Sequence, residues 1–143
     1  MQLDKRFVAA KRDFDVFKAI WFVSGRAKRV FESIDPTAFE FLWCDTQLAD
    51  GSPTPEYWLC KVLPALDAVD EENSKLTIRT EPNGHRYYSF GLQPNLVFKP
   101  EVIGERHIFA LAYSPRKIVC DEYVKSACKA LKLTGLSFCH LGK

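Results

Sequence analysis

The chain has 143 residues, a formal charge of +2, and 47% hydrophobic residues against 27% charged residues. A chain of this length and ordinary globular composition predicts a single domain, residues 1–143, and excludes the disordered and fibrous classes. No apolar run reaches the roughly 20 residues of a membrane span, and the N-terminus lacks the apolar core of a signal peptide, so we expect a cytoplasmic protein outside the membrane.

Apolar runs and alternating apolar and polar residues predict strands along most of the chain. Turn residues separate them: Pro and Gly at residues 50–55 predict a loop, and Glu-Pro-Asn-Gly-His at residues 81–85 predicts a hairpin turn. In chain order, the predicted strands are a short one near residues 15–18, then residues 20–23, 39–43, 57–63, 75–80, 86–90, 96–98 and 108–113.

Two helices are predicted by apolar side chains that recur at helical spacing. The first covers residues 25–34 behind Ser24, and the second follows Asp121; both Ser and Asp favour the N-cap position. Laid ungapped, residues 20–41 and 117–138 match as two strand-helix-strand units, which predicts an internal duplication. The predicted fold class is α+β, with a mostly antiparallel sheet and two main helices.

Charge is segregated along the sequence although the total is nearly neutral. Residues 1–30 and residues 106–143 each carry a balance of +5, whereas residues 31–105 carry a balance of −8. If the two terminal segments pack side by side, the surface has a basic lobe and an acidic lobe, which suits a charged protein partner. The alternative explanation for the helix charges is that they complement the helix dipole on a solvated face.

The five cysteines form no C-x-x-C pair and are predicted to be reduced and buried. Cys120 is the candidate for a reactive thiol, because the N-terminus of the second helix would lower its pKa. Cys139 and His140 point to opposite faces of a predicted strand, and His85 and His107 are isolated. Neither a zinc site nor a Cys-His couple is therefore predicted.

The one cluster of carboxylates in the sequence comprises Asp67, Asp70, Glu71 and Glu72. Closely spaced acids suit a divalent cation or an acid/base pair, and a solvated surface turn is the alternative. No glycine-rich phosphate loop or nucleophile elbow accompanies them, so no cofactor or metal is predicted. The aromatic strand at residues 86–90 favours core packing over base stacking, and the acidic middle of the chain would repel nucleic acid.

The second unit contains two distinctive segments, Lys-Ile-Val-Cys-Asp-Glu-Tyr at residues 117–123 and Leu-Thr-Gly-Leu-Ser-Phe at residues 133–138. Together with Phe-Val-Ser at residues 22–24 and Leu-Asp-Ala-Val-Asp at residues 66–70, they resemble a family of bacterial polymorphic-toxin immunity proteins, immunity family eleven. The resemblance covers roughly residues 15–143. Cys120 stands where that family often has Ser.

The resemblance implies a small cytosolic protein that neutralises a cognate protein toxin by binding it, without catalysis of its own. We expect Asp67, Asp70, Glu71 and Glu72 to contact a cationic toxin domain, so that reversing Asp70 and Glu71 to Lys weakens the complex. The alternatives are a regulatory or structural interaction module and an enzyme that uses Cys120 or the carboxylates.

Overall fold

The computed structural model describes residues 13–17, 20–44, 56–91 and 94–141. The predicted loop at residues 50–55 lies outside this part of the chain. No helix among the described residues is long and apolar enough to cross a membrane. In chain order, the elements are β1 (Phe14–Phe17), β2 (Ile20–Ser24), α1 (Gly25–Ile34), β3 (Phe39–Cys44), β4 (Tyr57–Val62), β5 (Ala65–Leu66), β6 (Thr77–Thr80), β7 (Arg86–Ser89), α2 (Pro100–Ile103), β8 (Ile108–Leu111), β9 (Ser114–Cys120) and α3 (Glu122–Ala130).

The described strands form three sheets, and almost all neighbours within them are antiparallel. The largest sheet has the order β1-β2-β4-β3, the second has the order β5-β8-β9, and β6 pairs with β7 as a hairpin. The pairing of β5 with β8 is parallel. This architecture confirms the predicted α+β class with a mostly antiparallel sheet.

The strand predictions are confirmed for most of the chain and wrong at residues 96–98. The hairpin turn places Thr80 opposite Arg86, with Gly84 in the left-handed region that glycine adopts without strain. Around residues 96–98 the structure has two isolated bridges, Val69 with Phe98 and Lys75 with Asn95, in place of a strand. The sequence patterns predicted neither the two-residue β5 nor the four-residue α2, because such short elements have no period.

The N-caps of both long helices are confirmed. The hydroxyl of Ser24 accepts a hydrogen bond from the Ala27 amide at 3.0 Å, and the carboxylate of Asp121 accepts one from the Val124 amide at 3.2 Å. Each bond satisfies an amide of the first turn that has no partner within the helix. These caps fix where α1 and α3 begin.

The closing strand predicted for the second unit is wrong. Helix α3 ends at Ala130, and the chain then turns at Lys132 and Gly135, which both have positive φ. The following residues to 141 form no strand, so the strand predicted at Cys139 and His140 is also wrong. The two units share a strand and a helix, and the duplication itself stays a prediction.

The main hydrophobic core lies between the four-stranded sheet and the two long helices. Ala27 and Phe31 of α1 meet Val124 and Cys128 of α3 in this core. Strand β8 connects it to a second core, because Ile108 belongs to the first while Phe109 belongs to the second. Since successive side chains of a strand point to opposite faces, one strand serves both cores.

Asp13 joins the start of the described chain to the segment after α3. Its carboxylate accepts hydrogen bonds from the Ser24 hydroxyl at 2.8 Å, from Nη2 of Arg26 at 2.9 Å and from the Thr134 amide at 2.9 Å. The Phe14 amide donates to the Thr134 carbonyl beside it. The described parts of the two terminal segments therefore lie side by side, which is the condition under which the charge pattern predicts a basic lobe and an acidic lobe.

Candidate functional site

Cys120, the candidate nucleophile, does not have the lowered pKa that favours a reactive thiolate. It ends β9 and packs partly buried against the main core. Burial, assisted by the negative charge of Asp121, raises the pKa of Cys120 to about 11. The predicted lowering of this pKa by the helix N-terminus is wrong, because burial and the neighbouring carboxylates of Asp121 and Glu122 disfavour the thiolate.

We expect Cys120 to resist alkylation near neutral pH. At a pKa of about 11 the thiolate fraction near pH 7.5 is about 300-fold smaller than for a free cysteine of pKa about 8.5. Timed iodoacetamide labelling with peptide mass spectrometry should show exposed Cys139 modified first and Cys120 modified only after denaturation. Equal rates at the two cysteines in the native chain would contradict the assignment.

His107 has a partner that sequence spacing does not reveal. Its Nδ1 atom lies 2.6 Å from Oδ2 of Asp121, and its ring stacks on that of Tyr123 at 4.5 Å between centroids. The other oxygen of Asp121 caps α3, so this carboxylate fixes the start of α3 against the residue that precedes β8. The prediction that His107 is isolated is wrong, since residues 14 apart in sequence meet only through the pairing of β8 with β9.

The described residues contain no group of three or more His, Cys, Asp or Glu side chains arranged to hold a metal ion. The four predicted carboxylates instead occupy the turn after β5. We call residues 67–72 the acidic turn.

Two carboxylates of the acidic turn are used within the protein. Glu71 accepts hydrogen bonds from Nη2 of Arg86 at 2.6 Å and from the Tyr88 hydroxyl at 3.0 Å. Asp70 accepts a hydrogen bond from the side-chain amide of Asn73 at 2.8 Å, and this bond lowers the pKa of Asp70. Both residues therefore have a structural role that the sequence did not indicate.

The other two carboxylates, those of Asp67 and Glu72, are exposed. Neither carboxylate makes a hydrogen bond or ion pair with another described residue. Because nothing within the described chain neutralises them, they are the members of the acidic turn that can meet a cation on a partner.

The aromatic strand β7 contributes to the second core, as its alternation indicated. Tyr88 is buried and contacts Phe90 and Tyr113 edge-on, at 6.2 and 5.5 Å between ring centroids. Burial and the Glu71 carboxylate raise the pKa of Tyr88, so its hydroxyl stays a hydrogen-bond donor. This ring is not available to stack on a base.

The four-stranded sheet exposes apolar side chains that the sequence placed in strands. Leu42 and Trp43 of β3 are 63% and 55% exposed, and Ile20 at the start of β2 is also exposed. Strand β3 lies at the edge of its sheet, so its outer side has no described neighbour. An apolar run does not reveal whether its strand lies at the edge of a sheet, because strand order depends on contacts between distant segments of the chain.

A comparison with known families gives one match, and it extends over the whole chain. The model of the Immunity protein family (Imm11) matches residues 1–143. No curated protein matches the chain. The match covers all three described sheets, both long helices, the acidic turn and the segment after α3. The chain therefore belongs to the Immunity protein family (Imm11).

Proposed function

We propose that this protein neutralises a cognate bacterial toxin in the cytoplasm by binding it, with no catalysis of its own. The observation that carries the proposal is the family match across residues 1–143. Neutralisation by binding requires a complementary surface rather than a reacting group. The suppressed reactivity of Cys120 and the exposed apolar residues of β3 agree with this role. Five free cysteines suit a reducing compartment.

Co-expression with the neighbouring open reading frames tests the proposal directly. We expect one neighbour to be lethal alone, to be tolerated when this chain is present, and to co-purify with it. A toxin from an unrelated locus, which this chain should not neutralise, is the specificity control. A stable complex without rescue would favour a regulatory interaction module, and the absence of any lethal neighbour would count against immunity.

We further propose that the acidic turn contacts the toxin through Asp67 and Glu72. These two carboxylates are exposed, whereas Asp70 and Glu71 hold the turn in its conformation. Reversing Asp70 and Glu71 to Lys would leave Arg86 without its carboxylate partner and disturb the conformation of the turn. A weaker complex could then result from either lost binding or altered folding. Asp67 and Glu72 are therefore the residues to reverse in a test of toxin binding.

Replacing Asp67 and Glu72 together by Lys is expected to raise the Kd of the toxin complex about tenfold, mainly through a slower association rate. The effect should shrink as salt increases, because exposed charges are screened. Calorimetry or surface plasmon resonance measures it. The matched control reverses two exposed acids outside the turn, Glu81 and Glu105. An unchanged Kd at low salt removes the acidic turn from the contact surface.

A further inference from the structure

Two adjoining cavities open beside β9, each with a volume of about 550 Å³. They share Trp21, Arg116 and Ile118 in their walls, and we call the pair the Arg116 cleft. Cavities of a few hundred Å³ are large enough to receive several side chains of a ligand or partner. The cleft is therefore a second candidate contact surface beside the acidic turn.

Exposed apolar residues concentrate at the Arg116 cleft. Val16 lines one cavity, and Ile20, Leu42 and Leu63 line the other, although they come from separate segments of the chain. Burying apolar surface stabilises by about 25 cal/mol per Å², so a convergent group of this kind favours association. Exposed apolar residues that occur singly need no such explanation, whereas a contiguous patch marks an interaction surface.

The charges at the cleft are mainly positive. Lys61, Arg116 and Lys117 line it together with a single carboxylate, that of Glu40. Glu40 is the cross-strand neighbour of Lys61 and offsets that charge. Arg116 makes no ion pair with a described residue, and the ammonium of Lys117 lies 5.0 Å from the Phe90 ring centroid rather than beside an acid.

These observations select the chemistry of the occupant. Apolar walls favour apolar side chains, and Arg116 and Lys117, which form no ion pair with a described residue, favour carboxylates beside them. A second copy of this chain, docked cleft to cleft, would oppose Arg116 with its own equivalent, and like charges at an interface are unfavourable. The occupant is therefore a different chain.

We propose that the Arg116 cleft receives an apolar segment of the toxin that carries carboxylates next to its apolar side chains. The inference rests on the proposed toxin-neutralising function and names the chemistry of the partner segment. The acidic turn begins at Asp67, two residues after Ala65 of the cleft wall. The proposed toxin surface thus carries acids over the cleft and cations over the turn.

Synthetic peptides test the cleft without the toxin. A fluorescein-labelled peptide that alternates Leu and Phe with Glu should bind at least about tenfold more tightly than the same peptide with Lys in place of Glu, and the difference should narrow between about 0.05 M and about 0.3 M salt. Fluorescence anisotropy gives both Kd values. Equal affinity for the two peptides, or binding of neither, overturns the assigned chemistry.

Matched variants locate the peptide site. We expect two variants to raise the Kd of the acidic peptide at least about tenfold, because central contacts of an interface dominate its affinity. One is Arg116→Glu, and the other combines Leu42→Ser with Leu63→Ser. The controls make the same changes on the exposed strand β6, as Arg79→Glu and Ile78→Ser, and should leave the Kd unchanged. Arg116→Gln replaces Arg116→Glu if circular dichroism shows that the latter is misfolded. Full affinity in the cleft variants overturns the assignment.

Binding and rescue experiments with the toxin then test the cleft assignment separately from the proposed immunity function. If the wild-type chain rescues cells but Arg116→Glu binds the toxin with unchanged Kd, the cleft assignment is wrong and the immunity function stands. If the wild-type chain rescues from no neighbour, the immunity function fails whatever the peptides do. A dimer of the free chain in sedimentation that Arg116→Glu dissolves would assign the cleft to a second copy and overturn the proposal.

Discussion

Replacing Phe31 by Ala is expected to lower the free energy of unfolding by about 3–5 kcal/mol, the largest effect of any single substitution proposed for this chain. Phe31 is 2% exposed in the main core. Its ring lies 5.2 Å from that of Phe39 in a stacked arrangement and 6.5 Å from that of Trp21. The truncation leaves a cavity between α1 and the four-stranded sheet that these rings cannot fill.

Urea denaturation followed by circular dichroism measures this loss. Phe31→Leu is the control, because it keeps most of the apolar volume and should cost less than half as much as the alanine variant. A total stability of about 5–15 kcal/mol is usual for a domain, so the alanine variant should be marginal at growth temperature. A loss below about 1 kcal/mol would contradict the assignment of Phe31 to the centre of the core.

Replacing Asp13 by Ala is expected to cost about 2–4 kcal/mol and to lower Tm by roughly 10 °C. Asp13 is 9% exposed, and its carboxylate accepts hydrogen bonds from Ser24, Arg26 and Thr134. Half of the Arg26 side chain is in water, so that ion pair contributes the smaller share. Most of the loss comes from the Thr134 amide and the Ser24 hydroxyl, which lose their acceptor.

The same carboxylate makes stability depend on pH. Burial alone would raise the pKa of Asp13, but hydrogen bonds from Arg26, Thr134 and Ser24 outweigh it and leave the pKa below its usual value. A lowered folded-state pKa stabilises the protein above the unfolded value of about 3.9, and this contribution is lost as pH falls through the folded pKa. Acidification therefore weakens the junction of the two terminal segments.

Asp13→Asn tests the pH dependence separately from the loss of stability, since the amide cannot titrate. Thermal unfolding between about pH 7 and about pH 2.5 should show a smaller decrease in Tm for this variant than for the wild type. Glu101→Gln, at an exposed position of α2, is the control and should follow the wild-type curve. If Tm falls equally with pH in the wild type and in Asp13→Asn, another titratable group causes the loss of stability at low pH.

The elements that sequence predicted best are those with a local physical cause. Helix α1 has the predicted bounds because Ser24 caps it, its apolar side chains recur at helical spacing, and Asp35-Pro36 ends it. The turn between β6 and β7 follows from Asn83 and Gly84 in the same way. Helix α3 has an equally local start at Asp121, and it ends where Lys132 takes a positive φ and the Leu133 amide donates to the Cys128 carbonyl.

The candidate site was less predictable, because its parts are defined by distant partners. The sequence identified the carboxylates of the acidic turn, but it did not show that Arg86 and Tyr88 donate hydrogen bonds to Glu71. It placed Leu42 in a strand but could not show that this strand lies at a sheet edge. No sequence pattern indicated the Arg116 cleft, because its walls come from strands of two different sheets.

The sequence by itself determined the α+β class, the two capped amphipathic helices, the hairpin and the resemblance to an immunity family. These properties depend on residues a few positions apart, where periodicity and capping act directly. Only the tertiary structure decided that the pKa of Cys120 is raised, that Asp13 joins the described parts of both terminal segments, and that Asp67, Glu72 and Arg116 form no ion pair with another described residue. Burial and pairing of this kind depend on contacts between distant segments, which a local pattern does not contain.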